Sequence, residues 1–260
     1  MDEPSPLAGR RIVVTRPDAG RDAFSQRLAA AGAHVIACPT IRLALTPDRA
    51  ALEHAFAAAA TYDWVVFTSA NAARFFAEVV DAEARMQIAE RAQIAAVGPA
   101  TADQLAALGL APTLVAEQHV AEGLAEALGN LQGQSVLLPQ AAMARATLGN
   151  MLQTQGARVT IVPLYETVAV MPSEATLAEL DHDACVFTFT SSSTVTGLAT
   201  ALLETGRTWR PSWRAACIGP ITAATAQILG WPISMIAIPH TTDGLFNGLV
   251  RFFASDSLSA

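Results

Sequence analysis

Four apolar runs of this chain end in turns rich in hydroxyls and glycine. FTSAN (67–71) and FTSSST (189–194) form one pair, VGPAT (97–101) and IGPIT (218–222) the other. Each closes a Val-, Ile- or Phe-rich run and opens a helical pattern. In open α/β sheets ligands bind at the carboxyl ends of the strands. There the first-turn N–H groups of the following helix lack intrahelical partners and can receive an anion. Ser69, Thr101, Thr190, Ser191, Ser192 and Thr222 add hydroxyls at the same places. Such hydroxyls also serve as N-caps, so one turn alone does not choose between the two roles. Four turns in two related pairs point to a ligand with several carboxylates or phosphates. Arg16 follows the first apolar run, and Arg145 is expected to open the helix after the run 135–138. Either could pair bidentately with a carboxylate. Tyr165, one of two tyrosines, falls on an extended connecting segment rather than in a core strand.

Some chemistry is excluded by what is missing. All 16 Lys-plus-Arg residues are Arg. Without Lys there is no Schiff-base lysine, hence no ordinary pyridoxal-phosphate chemistry, and no Walker A loop. Any side-chain cation that meets an anionic ligand here is Arg, the better fork for carboxylates. No G-x-G-x-x-G follows a strand, and no G-x-S-x-G, H-E-x-x-H or Asp-rich metal loop occurs. The histidines, His34, His54, His119, His182 and His240, make no i, i+3 or i+4 pair. Cys38, Cys185 and Cys217 lie apart in apolar runs and read as buried small hydrophobes. No metal site is expected.

The elements that must position these residues are written twice. Residues 97–128 align without a gap with 218–249, and 11 of the 32 positions are identical, including Gly98/Gly219, Pro99/Pro220, Thr101/Thr222, His119/His240 and Gly123/Gly244. GRRIVVTRP (9–17) echoes GQSVLLPQA (133–141), GAHVIACPTI (32–41) echoes GARVTIVPLY (156–165), and VVFTSAN (65–71) echoes FTFTSSS (187–193). A domain-sized period means a duplicated lobe, not a solenoid. Two such lobes place a cleft between them, where small ligands usually bind.

Short apolar runs at 11–15, 34–38, 64–68, 94–97, 113–116, 135–138, 158–162, 184–189, 214–218 and 233–238 read as ten strands buried on both faces. Helices are predicted at 20–31, 48–59, 71–80, 100–108, 121–128, 142–154, 192–204, 221–229 and 243–253. Gly32, Gly109, Gly156 and Gly230 stand where helices should stop. The alternation predicts right-handed βαβ units and two doubly wound parallel sheets of five strands each. A tandem cut near residue 131 satisfies that count. So does an exchanged cut, in which the equivalent, Pro-bounded segments 39–47 and 163–172 cross between lobes.

Charge and hydropathy set the setting. The net charge is −7 at 52% hydrophobic residues, with no basic tail, which argues against a nucleic-acid partner. No apolar stretch is long enough to span a membrane. The start, MDEPSPLAGRR, lacks the order of a signal peptide. The reading is of a soluble cytoplasmic protein. The negative charge means that local positive potential must act wherever an anionic ligand binds.

Taken in order, IVVTRPDAGRDAFSQRLAAAGA, YDWVVFTSANA, AAVGPATADQLAALG, LYET, VFTFTSSSTVTGL, CIGPITAATAQILG and TTDGL resemble the uroporphyrinogen-III synthase family, and they are spread from residue 11 to 250. The resemblance implies two flavodoxin-like α/β lobes joined by a two-stranded connector. It favours the exchanged cut: 1–38 plus 172–260 as one lobe, 48–162 as the other, and 39–47 with 163–171 as connector strands. It implies conversion of hydroxymethylbilane to uroporphyrinogen III, with loss of water and inversion of ring D, by a monomer without a cofactor. Tyr165 matches the tyrosine proposed to assist hydroxyl departure, and Ser69, Thr101 and Thr222 fall on polar positions of the family's cleft. One segment departs from the pattern: after SVLLP the run PQAAMARATL carries Gln140 where many bacterial members have Arg, while Arg145 matches a later Arg. The alternative function class is a non-catalytic two-lobe protein that binds a polycarboxylate, or a family member that has lost activity.

Overall fold

Runs of β-branched and aromatic residues with no polar alternation can lie only where both sheet faces are covered. All four residues of Trp64–Phe67 and all five of Cys185–Phe189 are buried. The computed structural model describes residues 5–181 and 185–256. In chain order the first half forms β1 (Arg11–Val14), α1 (Ala23–Ala30), β2 (His34–Ala37), β3 (Ile41–Leu45), α2 (Arg49–Ala57), β4 (Trp64–Phe67), α3 (Ala70–Val79), α4 (Ala82–Arg91), β5 (Gln93–Ala96), α5 (Pro99–Ala107), β6 (Leu114–Val115) and α6 (Ala121–Leu128). The second half forms β7 (Ser135–Ala141), α7 (Thr147–Thr154), β8 (Arg158–Ala169), α8 (Glu174–Leu180), β9 (Cys185–Phe189), α9 (Ser192–Glu204), β10 (Arg214–Cys217), α10 (Pro220–Ile228), β11 (Ile233–Ile236) and α11 (Thr242–Asp256).

The chain divides into two compact units, residues 1–43 with 167–260, and residues 44–166. The first carries a parallel sheet in the order β11-β10-β9-β1-β2. Alternate residues face opposite layers. Val13, Phe187 and Phe189 pack with Trp213 and Trp231 on one side, while Ile12, Val14 and Val186 pack with Phe24, Leu28, Leu245 and Leu249 on the other. The second sheet runs β3-β8-β7-β4-β5-β6, and its last five strands are parallel. Under the internal repeat, β7 and β8 correspond to β1 and β2, and β4, β5 and β6 to β9, β10 and β11. The five shared strands therefore have the same spatial order in both sheets. Each sheet takes two strands from one repeat and three from the other.

Besides the ten core strands, the segment 39–47, expected as a connector strand, supplies β3. The Thr46 N–H donates to the Leu164 carbonyl and the Val170 N–H to the Thr40 carbonyl. The numbers run in opposite senses, so β3 is antiparallel to β8. The second sheet thus has six strands, not five. Tyr165 lies in the segment expected as a connector strand, which is the continuation of a core strand. β8 continues without a break from the core through to Ala169, so Tyr165 lies within a strand, in register with Ala141 of β7. Two helices were not read from sequence. α4 is polar, burying only Ile88, and is announced by its Asp81 cap; α8 is short, with Ser173 as cap and Leu177 and Leu180 buried. The predicted strand start at Ala184, His182, and the first residues of the N-terminal stretch lie outside the described residues. Gly32, Gly109, Gly156 and Gly230 follow their helices with φ between 79° and 91°, the left-handed backbone that ends a helix at little cost only in glycine.

Asp63 pins the amino ends of β4 and β7. Its carboxylate accepts from the Ser135 N–H and hydroxyl, both at 2.7 Å, while the Asp63 N–H donates to Ser135 Oγ at 3.1 Å. These two donors, the backbone one first, hold its pKa below the ordinary value. No helix among the described residues is long and apolar enough to cross a membrane.

Burial pushes the Cys38 and Cys217 thiols from 9.0 up to about 12. The neutral thiol is thus favoured in the folded state more than in the unfolded one. That contribution to stability is complete below 9.0 and is lost as pH rises toward about 12. Native protein is expected to leave both thiols unmodified by a thiol-specific disulfide reagent, with modification tracking urea unfolding. Urea midpoints measured through that alkaline window should fall, and fall less in the Cys38→Ala, Cys217→Ala double variant.

Candidate functional site

In the 44–166 unit, β4 hands over to α3 through Thr68 and Ser69. Ser69 is the N-cap: its Oγ accepts from the Ala72 N–H at 3.0 Å. The Tyr165 hydroxyl lies 3.1 Å from the same oxygen. A serine hydroxyl has one proton and two lone pairs. With one lone pair on the helix amide, Ser69 can still donate to Tyr165 or accept from it. The Tyr165 ring stacks on Phe75, centroids 5.1 Å apart and planes 14° apart. At 9% exposure the phenol is held by packing and by a capped helix end, not displayed on an open segment.

In the same unit a cavity of about 470 Å³ is lined by Thr68, Val97, His119, Gln140, Arg145 and Leu148 together with the residues that open α6 and α7, the carboxylate of Glu122 among them. Gln140 lies near the end of β7, and the others follow the carboxyl ends of β4, β5, β6 and β7. The starts of α6 and α7 open onto this space, and Thr68 and Val97, just before the caps of α3 and α5, complete its wall. Three of these helices have no side-chain cap, their N-cap residues being Gly98, Val120 and Ala146. Bare first-turn amides carry the positive end of the helix dipole. Gly98 is needed for contact rather than for its backbone angle: a Cβ there would meet His119 Cγ at 2.9 Å. Arg145 is exposed and has no ion-pair partner among the described residues. It does not open a helix as predicted. β7 continues to Ala141, pairing with β8 as far as Tyr165, so α7 starts only at Thr147 and Arg145 sits in the turn before it.

The other unit presents the related turns in a different state. Arg16 is bound to Asp22 at 3.4 Å. Asp22 caps α1, accepting from the Phe24 and Ser25 amides and from the Ser25 hydroxyl. Thr190 follows β9, and Ser191 caps α9 by accepting from the Thr194 N–H at 3.3 Å. Ser192 Oγ lies 2.7 Å from Thr225 Oγ1. Thr241 accepts from the Gly244 N–H at 3.1 Å at the start of α11. Thr101 and Thr222, equivalent in the repeat, are 4% and 5% exposed, each in the first turn of its helix.

Among the sequence candidates, then, Ser69 and Tyr165 touch each other, and Arg145 lines the cavity. Arg16, Thr190, Ser191, Ser192 and Thr222 belong to the other unit, and Thr101 is buried. Thr68, His119, Gln140 and Asp22 were not among the candidates. The signal for Asp22 was available, since Asp three residues before Ser at a helix start is a capping pattern. Gln140 was visible only as a departure, and His119 only as a match within the repeat.

The family model described as HEM4, uroporphyrinogen-III synthase HemD, matches residues 22–247. The chain belongs to this family. It is 34% identical over 248 residues to the uroporphyrinogen-III synthase of Synechococcus elongatus, covering 92% of this chain and 94% of that protein. In structure it is similar to the uroporphyrinogen-III synthetase of Helicobacter pylori, with a TM-score of 0.63, 20% identity and coverage of 92% and 97%. It is also similar to a mutant uroporphyrinogen III synthase of Thermus thermophilus, with a TM-score of 0.60, 19% identity and coverage of 95% and 100%. At such identities these two structures speak for the α/β fold alone.

Tyr165→Phe deletes the bond to Ser69 but keeps the stack on Phe75. Because the hydroxyl is held rather than exposed, the variant is expected to lose about 0.5–1.5 kcal/mol of stability, read as a shift in the urea midpoint without a change in m.

Proposed function

We propose that the open helix ends and arginines described above hold carboxylates of a linear tetrapyrrole while Tyr165 assists departure of its hydroxyl. The activity is that of a uroporphyrinogen-III synthase, which closes hydroxymethylbilane to uroporphyrinogen III. The observation that carries the reading is the cavity onto which the starts of α6 and α7 open, both without a side-chain cap, with Arg145 on its wall and without an ion-pair partner among the described residues. Fixed amide dipoles and an Arg fork suit a substrate with eight carboxylates. They supply local positive potential on a chain whose net charge is −7.

The chemistry asks little of a nucleophile or a metal. The C–O bond of the hydroxymethyl group breaks, its electron pair leaves on oxygen, and a proton from the Tyr165 hydroxyl completes the departing water. The bilane becomes a cationic azafulvene. Ring D attacks through its substituted position to give a spiro intermediate, and rearrangement leaves the ring inverted. The proton lost when the last pyrrole re-aromatises returns to the phenolate, so the enzyme ends as it began. In this sequence Ser69 donates to the phenolate oxygen, and its own oxygen stays bound to the Ala72 amide. A helix N-terminus thus lies behind the charge that develops on the acid. Ser191, Ser192, Thr190, Thr101 and Thr222 belong to turns of the same kind, and we assign them, and Arg16, to substrate binding. Closure to isomer I occurs without a catalyst, so the enzyme's main task is to fold the chain for attack by the substituted carbon.

The deciding experiment supplies purified protein with enzymatically generated hydroxymethylbilane and separates isomers I and III. Isomer III in excess over the uncatalysed mixture is expected; isomer I alone would make the chain a binding protein. Arg145→Ala should raise KM about 10- to 100-fold through loss of a charge-assisted contact, with a smaller change in kcat. Arg16→Ala should move KM in the same direction. In steady-state kinetics Tyr165→Phe should lower kcat by roughly 10²–10⁴-fold, the range of a single general acid. Full isomer III activity in that variant would mean that Tyr165 only packs.

A further inference from the structure

The internal repeat shows what the cavity of the 44–166 unit is shaped to take. Residues 9–41 align without a gap with 133–165, so Arg16 corresponds to Gln140, Arg21 to Arg145 and Asp22 to Ala146. The corresponding helices, α1 and α7, are both eight residues long and start immediately after Asp22 and Ala146. In the first of these places the protein carries its own carboxylate. Asp22 rests on the Phe24 and Ser25 amides at 3.1 and 3.4 Å, takes the Ser25 hydroxyl at 2.6 Å, and lies 3.4 Å from Arg16. In the second the carboxylate is gone. Ala146, with helical backbone (φ −70°, ψ −3°) where Asp22 is extended (φ −77°, ψ 159°), makes no cap, so the amides of Leu148 and Gly149 have no side-chain acceptor. The arginine before the cap remains as Arg145. Gln140, in the place of Arg16, is 8% exposed, faces the cavity and has no hydrogen-bond partner among the described residues.

The Gln140 amide opens onto the cavity rather than onto a protein partner, and the first-turn amides of α7 lack a side-chain acceptor. One group would satisfy both. We propose that a substrate carboxylate occupies at α7 the position that Asp22 fills at α1, accepting from the Leu148 and Gly149 amides, from the Gln140 side-chain NH₂ and from Arg145, and that Ala146 is the specificity-determining residue that keeps this place open. A second replacement points the same way. Thr241 caps α11 in one unit, and the corresponding Val120 leaves α6 without a side-chain cap at the rim of the same cavity. The inference rests on the carboxylate-binding reading above and locates one subsite within it.

Ala146→Asp restores the carboxylate that the repeat has lost. It should raise KM for hydroxymethylbilane about 10- to 100-fold by filling and charging the subsite, with the urea midpoint showing that the variant is folded. Citrate is the probe for a readout independent of turnover. Titrated into the full chain, it should shift the backbone ¹⁵N–¹H signals of Leu148 and Gly149, and not those of Phe24 and Ser25, whose amides Asp22 occupies. The shift should vanish in Ala146→Asp and weaken in Gln140→Leu, which also keeps the test open should the Asp variant fold poorly. Unchanged KM in a well-folded Ala146→Asp, or equal citrate shifts at α1 and α7, would overturn the subsite. Citrate shifts confined to α7 in a protein that forms no isomer III would instead uphold the subsite and refute the enzymatic reading.

Discussion

A parallel sheet delivers every strand to a helix start on the same side, and every helix start brings amide protons that the helix itself cannot satisfy. That constraint organises the molecule. The sheets gather these ends at one edge of each unit, and each end must be capped by a side chain, wetted or filled by a ligand. Ser69, Ser191, Asp22 and Thr241 are caps of the first sort. Gly98, Val120 and Ala146 are not, nor is Gly219, the counterpart of Gly98, and the starts of α6 and α7 line a single cavity. The contrast between the units thus lies at two helix starts, α6 against α11 and α7 against α1.

Duplication explains why this contrast is informative. Corresponding positions of the two copies sit on the same strand order, so they can be compared side by side, although β7 runs three residues beyond the equivalent of β1 and the backbone before α7 differs from that before α1. Arg16 and Asp22 are an ion pair; Gln140 and Ala146, their counterparts, are replaced together. Loss of one member alone would strand a charge. Loss of both leaves a neutral amide and bare backbone donors, with positive potential supplied by dipoles and by Arg145. A protein with net charge −7 can in this way attract a polyanion locally without being basic overall.

Much of the architecture was legible because burial on both faces leaves a mark: β4 and β9 are continuous apolar runs, and glycine marks the ends of α1, α5, α7 and α10. What escaped was governed by contacts distant in sequence. α4 presents almost no apolar face to read. The length of β7 depends on β8 pairing alongside it, and that length decides that Arg145 sits in a turn rather than in a helix. Tyr165 looked like a residue of an open connector because Pro163 precedes it; pairing with Ala141 and stacking on Phe75 draw it into the structure. For the site, the hydroxyl turns were readable as a class. Which amides are left bare was not, since that depends on where each helix begins, the least predictable property of a helix. Gln140 and Ala146 were in plain sight as letters, and gained meaning only once their counterparts were seen bonded to each other.

The way the units divide the chain also fixes an order of events on the ribosome. Residues 44–166 are contiguous, so all strands from β4 to β8 have been synthesised before α8 begins. The other unit cannot close its sheet at that stage. β1 and β2 emerge first, yet β1 needs β9 as its neighbour, and β9 through β11 arrive last. Domains tend to fold as their sequence becomes complete, so the middle of this polypeptide matures ahead of its beginning. Until the C-terminal strands appear, β1 and β2 carry apolar surface on both faces and an unpaired edge, the features that recruit chaperones or stray strands. A nascent chain stalled just after β8 would therefore hold a finished middle unit tethered to an unfinished N-terminal βαβ segment, and aggregation would begin there.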